Sequence, residues 1–220
     1  MLPVLLCLLA LGTPRIAAGG EIYDRFPDVI DPAGRYVIYS HGLIVEGDDP
    51  RPVSPEFGVY DFPAVTRAIA AGGGFHLIAH HRPKNTVPED YVLRLEGWVR
   101  RLLMAGVTPG RITLVGFSRG GQITASASSR LASTGINTAI LAICFEGDFT
   151  QVPPIVLSGH LLSIYETTDV VGSCAQLAAR SRLASFEEIA ISTGKKHGAF
   201  YQPMPEWVRP LRAWIDKTDR

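Results

Sequence analysis

The sequence has no excess of either charge: its 220 residues carry 21 Lys+Arg against 21 Asp+Glu. A protein that grips a phosphate backbone normally carries a basic surplus, so nucleic-acid binding has no support here. Cysteine is scarce, with three residues at 7, 144 and 174, too few for a disulfide-rich scaffold. The 22 Gly and 16 Pro fall in no repeat, which excludes collagen-like and low-complexity chains. No apolar run approaches the about 20 residues needed to span a bilayer, so stable membrane insertion of the mature chain is not expected. What the chain does have is 46% hydrophobic and 19% charged residues, the balance of a single domain with a sizeable core.

The longest apolar run, Leu2 to Gly12, is followed by Thr13-Pro14 and the small residues Ala17-Ala18-Gly19-Gly20. This is the layout of a secretory signal peptide, although no Lys or Arg precedes the run. Cleavage near Gly19 is expected to leave residues 20–220 as one domain, secreted or periplasmic. It removes Cys7 and the single charge Arg15, so the mature chain keeps one acidic excess. Cys144 and Cys174 then remain as an even pair in an oxidising compartment, open to a disulfide or to two buried thiols.

Six short apolar runs have strand length and composition: Tyr36 to Tyr39, Phe75 to Ala79, Ile112 to Val115, Ala139 to Ile143, His160 to Tyr165 and Glu188 to Ser192. Near-continuous apolar strands belong in a sheet covered on both faces. Helical patterns lie between them. Asp61 caps a helix with Pro63 in its first turn that stops at Gly72-Gly73-Gly74. Val92, Leu95, Val99, Leu102 and Leu103 mark a second helix. Gly120 to Arg130 and Gln176 to Ala184 are expected as a third and fourth, and Trp207, Leu211, Trp214 and Ile215 line a terminal one after Pro205. The expected class is therefore α/β, a mostly parallel central sheet flanked by helices on both faces, with ligands bound beyond the carboxyl ends of the strands.

Two of those strand ends carry chemistry. Gly116-Phe117-Ser118-Arg119-Gly120 matches G-x-S-x-G between a strand and a helix, where glycines let the backbone pass a tight turn that projects the serine Oγ. Ser40-His41-Gly42-Leu43 follows the first run. A His-Gly after the strand preceding the first helix, with G-x-S-x-G later, resembles the α/β-hydrolase superfamily over roughly residues 35–216. The resemblance implies a Ser118 nucleophile, an oxyanion hole made by the backbone N–H groups of Arg119 and Leu43, and triad partners downstream in the order acid, then histidine. It also implies that His41 supports its loop and is not the base.

Two histidines follow Ser118. His160 begins a strand at the amino edge of the sheet, whereas His197, in Gly194-Lys195-Lys196-His197-Gly198, follows the last strand. His197 is the expected base. The acid is expected at Asp169, after the fifth run, with Asp148 and Glu166 as alternatives. His76, His80 and His81 share no metal-ligand spacing, because neighbours on a strand face opposite ways, and His80 or His81 is expected to line the site edge. No Walker lysine and no G-x-G-x-x-G order accompanies Gly116 to Gly121, so neither metal nor organic cofactor is expected.

Only about sixteen residues, Cys144 to Gly159, separate the fourth and fifth runs, too few for a cap domain. The longest irregular segment, Ile44 to Tyr60, is expected to wall the substrate pocket, with Arg51 or Arg82 available to an anionic group. The sequence thus points to a cap-less serine hydrolase of small carboxylic esters. An amidase or peptidase with the same triad, and a non-catalytic binding protein on the same fold, are the alternatives.

Overall fold

The apolar runs become the strands of one sheet. The computed structural model describes residues 20–145 and 154–218; the signal-like segment, Cys7 and Asp148 lie outside them. Among the described residues nine strands form: β1 (Ile22–Tyr23), β2 (Tyr36–Ser40), β3 (Val53–Ser54), β4 (Gly58–Val59), β5 (His76–Ile78), β6 (Ile112–Phe117), β7 (Asn137–Leu141), β8 (Ser158–Glu166) and β9 (Arg182–Ile191). Seven make one sheet in the order β1-β5-β2-β6-β7-β8-β9, every pairing parallel. β3 and β4 form a separate antiparallel pair inside the long segment before the first helix.

The helices are α1 (Phe62–Ala70), α2 (Pro88–Met104), α3 (Arg119–Arg130), α4 (Ala175–Ala179) and α5 (Pro205–Lys217). Asp61 caps α1 as its sequence indicates, accepting the Ala64 N–H at 2.9 Å. Alternation along the strands sorts the core onto two faces. Val37, Tyr39, Leu77, Val115 and Phe117 pack under α1 and α5, with Ile69, Trp207, Leu211 and Trp214. Tyr36, Ile38, Ile78, Ile112 and Leu114 pack under α2 and α3, with Leu95, Val99, Leu102 and Ile123. Every residue of β2, β6 and β7 is buried in consequence, which is why these runs are mostly apolar.

Several elements differ from expectation. The fourth helix ends at Ala179, not Ala184, and Arg182 already opens β9. The cause is Ser181, whose hydroxyl donates to the Leu177 carbonyl at 2.7 Å and accepts the Leu157 N–H at 3.0 Å, closing the helix and joining it to the chain entering β8. The fourth strand leaves the sheet at Ala142, which takes φ 49° and sends Ile143 toward the site. β1 and the β3–β4 pair are additions. Between β7 and β8 no helix lies among the described residues, and no described helix is long and apolar enough to cross a membrane.

The strand order sets the site. β2 lies between β5 and β6, so the chain leaves it toward one side and later returns on the other. Ser40, the last residue of β2, is in register with Gly116 of β6. The loops leaving these two neighbours diverge there and open the crevice in which such sheets bind ligands.

Candidate active site

β6 delivers Ser118 on a strained turn. Its φ of 52° and ψ of −125° lie outside the ordinary regions for a residue with a side chain, a conformation that costs about 1–3 kcal/mol. The Ser118 N–H donates to the Leu141 carbonyl and its carbonyl accepts from Gln122 N–H, both at 3.0 Å, holding the turn in place. Glycine is required on either side. A Cβ on Gly116 would collide with the Gly120 carbonyl and the Thr124 hydroxyl, and a Cβ on Gly120 with the carbonyls of Ser40 and His41.

The expected base and acid converge on this serine. His197 sits on a short 3-10 helix, Lys196–Phe200, its ring packed against Phe117 with centroids 4.8 Å apart. Its Nε2 lies 2.8 Å from Ser118 Oγ and its Nδ1 lies 2.7 Å from Asp169 Oδ2. The Asp169 side chain is only 3% exposed, and its Oδ1 accepts the Val170 N–H at 2.8 Å. His160 is remote, at the other end of β8, hydrogen-bonded to Ser185.

Glu166, the alternative acid, has a different place. It is fully buried and accepts hydrogen bonds from Thr168 N–H (2.6 Å), the Thr168 hydroxyl (2.5 Å), Thr193 N–H (2.8 Å) and Gly194 N–H (3.0 Å). Burial pushes its carboxyl upward, but these donors outweigh burial and hold it at about 2. Glu166 thus ties the loop bearing Asp169 to the loop bearing His197.

A second brace acts on the acid loop. Cys144 and Cys174 form a disulfide, and beside it Gly172 N–H donates to the Cys144 carbonyl at 2.9 Å. The segment from Asp169 to Cys174 is thereby fixed to the chain leaving β7. The bridge closes a sequence separation of 30 residues, for which chain entropy gives about 3.6 kcal/mol of stability. Changing both cysteines to serine is expected to lower unfolding free energy by about that amount, read by urea titration of the oxidised protein. An unchanged midpoint and slope would show that the bridge contributes nothing.

Arg119 is the first residue of α3, so its N–H has no intrahelical acceptor and sits at the positive end of the helix dipole. Leu43 begins a 3-10 turn after His41-Gly42. Ser118, Arg119, Leu43, Asp169 and His197 line one cavity of about 370 Å³. Its remaining walls are mostly apolar: Phe57, Ala142, Ile143, Phe145, Val170 and Val171, with Gln122 at one side. Phe57 lies between β3 and β4, so the long segment before α1 does wall the pocket. The sequence carried no signal for Phe145, Val170 or Val171, which reach the cavity from loops.

Several polar residues serve elsewhere than expected. His81 Nε2 lies 2.6 Å from the Val45 carbonyl and His80 Nδ1 3.2 Å from the Tyr91 hydroxyl, and neither lines the cavity. They hold loops at the sheet edge. Arg82 is fully buried against Glu46 and is not offered to an anionic substrate, whereas Arg51 pairs with Asp61 at 3.2 Å on the surface, and neither lines the cavity. His41 is buried too; burial and the Arg82 charge push its imidazole well below the usual range, keeping it neutral as a loop support. Among the described residues no group of three His, Cys, Asp or Glu side chains is arranged to hold a metal ion.

No family model and no curated protein matches the sequence. Solved structures do match in fold. SOBER1 of Arabidopsis thaliana aligns at a TM-score of 0.60 and 13% identity, covering 86% of this chain and 100% of that one. A double mutant of the esterase E40 aligns at 0.58 and 17% identity, covering 87% and 80% of the two chains. An arylesterase aligns at 0.56 and 12%, covering 89% and 79%. With a parallel sheet of this order, helices on both faces and a serine turn at the end of a central strand, the chain has the α/β-hydrolase fold, with no cap among the described residues.

Proposed function

We propose that the protein hydrolyses small carboxylic esters through a covalent acyl-enzyme on Ser118. The observation that carries this reading is the continuous line Ser118–His197–Asp169, with contacts of 2.8 and 2.7 Å, at the floor of a cavity beside a helix N-terminus. A serine hydroxyl is a poor nucleophile until a base takes its proton, and His197 Nε2 is within reach to do so. Ser118 Oγ attacks the ester carbonyl carbon while its proton passes to His197. Asp169 holds the proton on Nδ1 and stabilises the imidazolium. The negative charge on the carbonyl oxygen falls to the Arg119 and Leu43 N–H groups. Collapse breaks the bond to the alcohol, which leaves with the proton from His197. Water then repeats the sequence on the acyl-enzyme, releasing the acid and restoring Ser118. The chemistry requires no metal or organic cofactor. The mostly apolar walls fit an uncharged acyl or alkyl group, and the esterase named among the fold neighbours agrees in reaction class.

Ser118→Ala is expected to abolish turnover of a short-chain chromogenic ester, by about 10⁴-fold or more, with an unchanged unfolding midpoint. The native protein is expected to be labelled at Ser118 by a fluorophosphonate. Retained turnover in a folded Ser118→Ala variant, or labelling elsewhere, overturns the assignment. Ester and amide substrates of one acyl group, assayed side by side, separate esterase from amidase.

A further inference from the structure

A guanidinium fully withdrawn from water has to be held by its surroundings, and the partners of Arg82 nearly all belong to one loop. Its Nε donates to Glu46 Oε1 at 3.2 Å, and the Glu46 side chain is itself only 5% exposed. Its Nη2 donates to the carbonyl of His41 and, at 3.4 Å, to that of Gly42. Its backbone N–H donates to His41 Nε2 at 2.9 Å and its carbonyl accepts from Gly47 N–H at 3.1 Å. Outside the 41–47 loop, the guanidinium lies over the Tyr91 ring, 5.3 Å from the centroid. One residue after β5 therefore grips the start, middle and end of the loop that follows β2.

The grip fixes a peptide plane. With Nε2 accepting from Arg82, neutral His41 carries its proton on Nδ1 and donates it to the Gly42 carbonyl at 2.8 Å. That carbonyl is thus held by both His41 and Arg82. In a planar trans peptide the C=O and the following N–H point in opposite directions. Turning the Gly42 carbonyl inward to the cluster turns the Leu43 N–H outward, and Leu43 lines the cavity of Ser118. The His41 carbonyl also abuts Gly120, where a Cβ would collide with it, so the loop and the start of α3 share one contact.

We propose that Arg82, with Glu46 as its counter-ion, is a positioning residue for the oxyanion hole, aiming the Leu43 N–H by holding the His41 and Gly42 carbonyls. This rests on the reading of Ser118 as nucleophile. Arg82 touches no substrate. Its removal is expected to weaken the transition state while leaving substrate binding nearly unchanged.

Two variants test this. Arg82→Met combined with Glu46→Gln removes the ion pair as a unit, so no buried charge is left alone. Arg82→Lys keeps the charge beside Glu46 but replaces a fork spanning two carbonyls with a single ammonium. For each, kcat per fluorophosphonate-titrated site, KM for a short-chain chromogenic ester, and affinity for a trifluoromethyl ketone that mimics the tetrahedral adduct are measured. The double variant is expected to lose about 10- to 100-fold in kcat and a parallel factor in ketone affinity, with KM within about threefold. Arg82→Lys is expected to lose about tenfold. A residue that only supported the fold would lower the titrated fraction and the unfolding midpoint but leave kcat per site intact. Wild-type kcat per site in either folded variant overturns the proposal and leaves the Ser118 reading standing. Absence of both turnover and Ser118 labelling in the unmodified protein overturns the two together.

Discussion

Asp169→Asn is expected to lower kcat for ester hydrolysis by about 10⁴-fold while the protein stays folded. The Asp169 carboxylate accepts at both oxygens, Oδ2 from His197 and Oδ1 from Val170 N–H at 2.8 Å, so its plane is set independently of the imidazole. An asparagine keeps that shape. With its oxygen retained toward Val170, its amide donates toward Nδ1, so the imidazole proton moves to Nε2. Nε2 then faces Ser118 Oγ at 2.8 Å as a donor and cannot take the hydroxyl proton. Loss of the negative charge also withdraws stabilisation from the imidazolium of the transition state. The measurement is kcat against pH in Asp169→Asn beside the unfolding midpoint. A folded variant with kcat within tenfold of wild type would falsify the role given to Asp169.

The sequence separates the proposed acid, Asp169, from Glu166 only by position along the chain. Asp169 and Glu166 are three residues apart at the end of one strand, and both are carboxylates in a polar turn. What separates them is direction. Glu166 is the last residue of β8 and is buried beneath the turn, while Asp169 stands beyond it and faces His197. A strand end misjudged by a residue or two exchanges the roles, and boundaries are the least legible feature of any sequence. Ser118 was legible because its signal is local: the glycines at 116 and 120 are demanded by contacts of the turn itself.

The same contrast runs through the fold. β2, β6 and β7 were readable because burial on both faces leaves them mostly apolar, with Ser40, Thr113, Asn137 and Thr138 as the buried polar exceptions. β1, β3 and β4 have two residues each, too few for any period to show. Gln176 to Ala184 has helical spacing throughout, and the hydroxyl of Ser181 that ends the helix is indistinguishable in sequence from one facing solvent. Arg82 reads as an available cation because its counter-ion, Glu46, is 36 positions earlier. Its burial follows from the adjacency of β5 and β2, which no local pattern encodes.

Glu166→Gln is expected to destabilise the protein by about 3 kcal/mol at neutral pH and to flatten its acid limb. The size follows from the carboxyl being held at about 2, against an ordinary value of 4.5. The sign follows from the direction. A group whose folded pKa is depressed contributes its full stabilisation above its unfolded value, and loses it as pH falls from about 4.5 toward about 2. Glutamine has the same shape but offers one acceptor oxygen where the carboxylate offers two, and it sets an NH₂ group against N–H donors of Thr168 or of Thr193 and Gly194. Urea titrations of both proteins between pH 3 and pH 7 read the effect, and coincident pH profiles would remove Glu166 from this role. Because the lost bonds join the turn carrying Asp169 to the loop carrying His197, kcat is expected to fall about tenfold as well, in a residue that touches neither Ser118 nor the cavity. The strained serine turn, the braced acid loop and this shared carboxylate act on the same distances. On the proposed mechanism, their stability cost and their catalytic effect are two readings of one preorganised geometry.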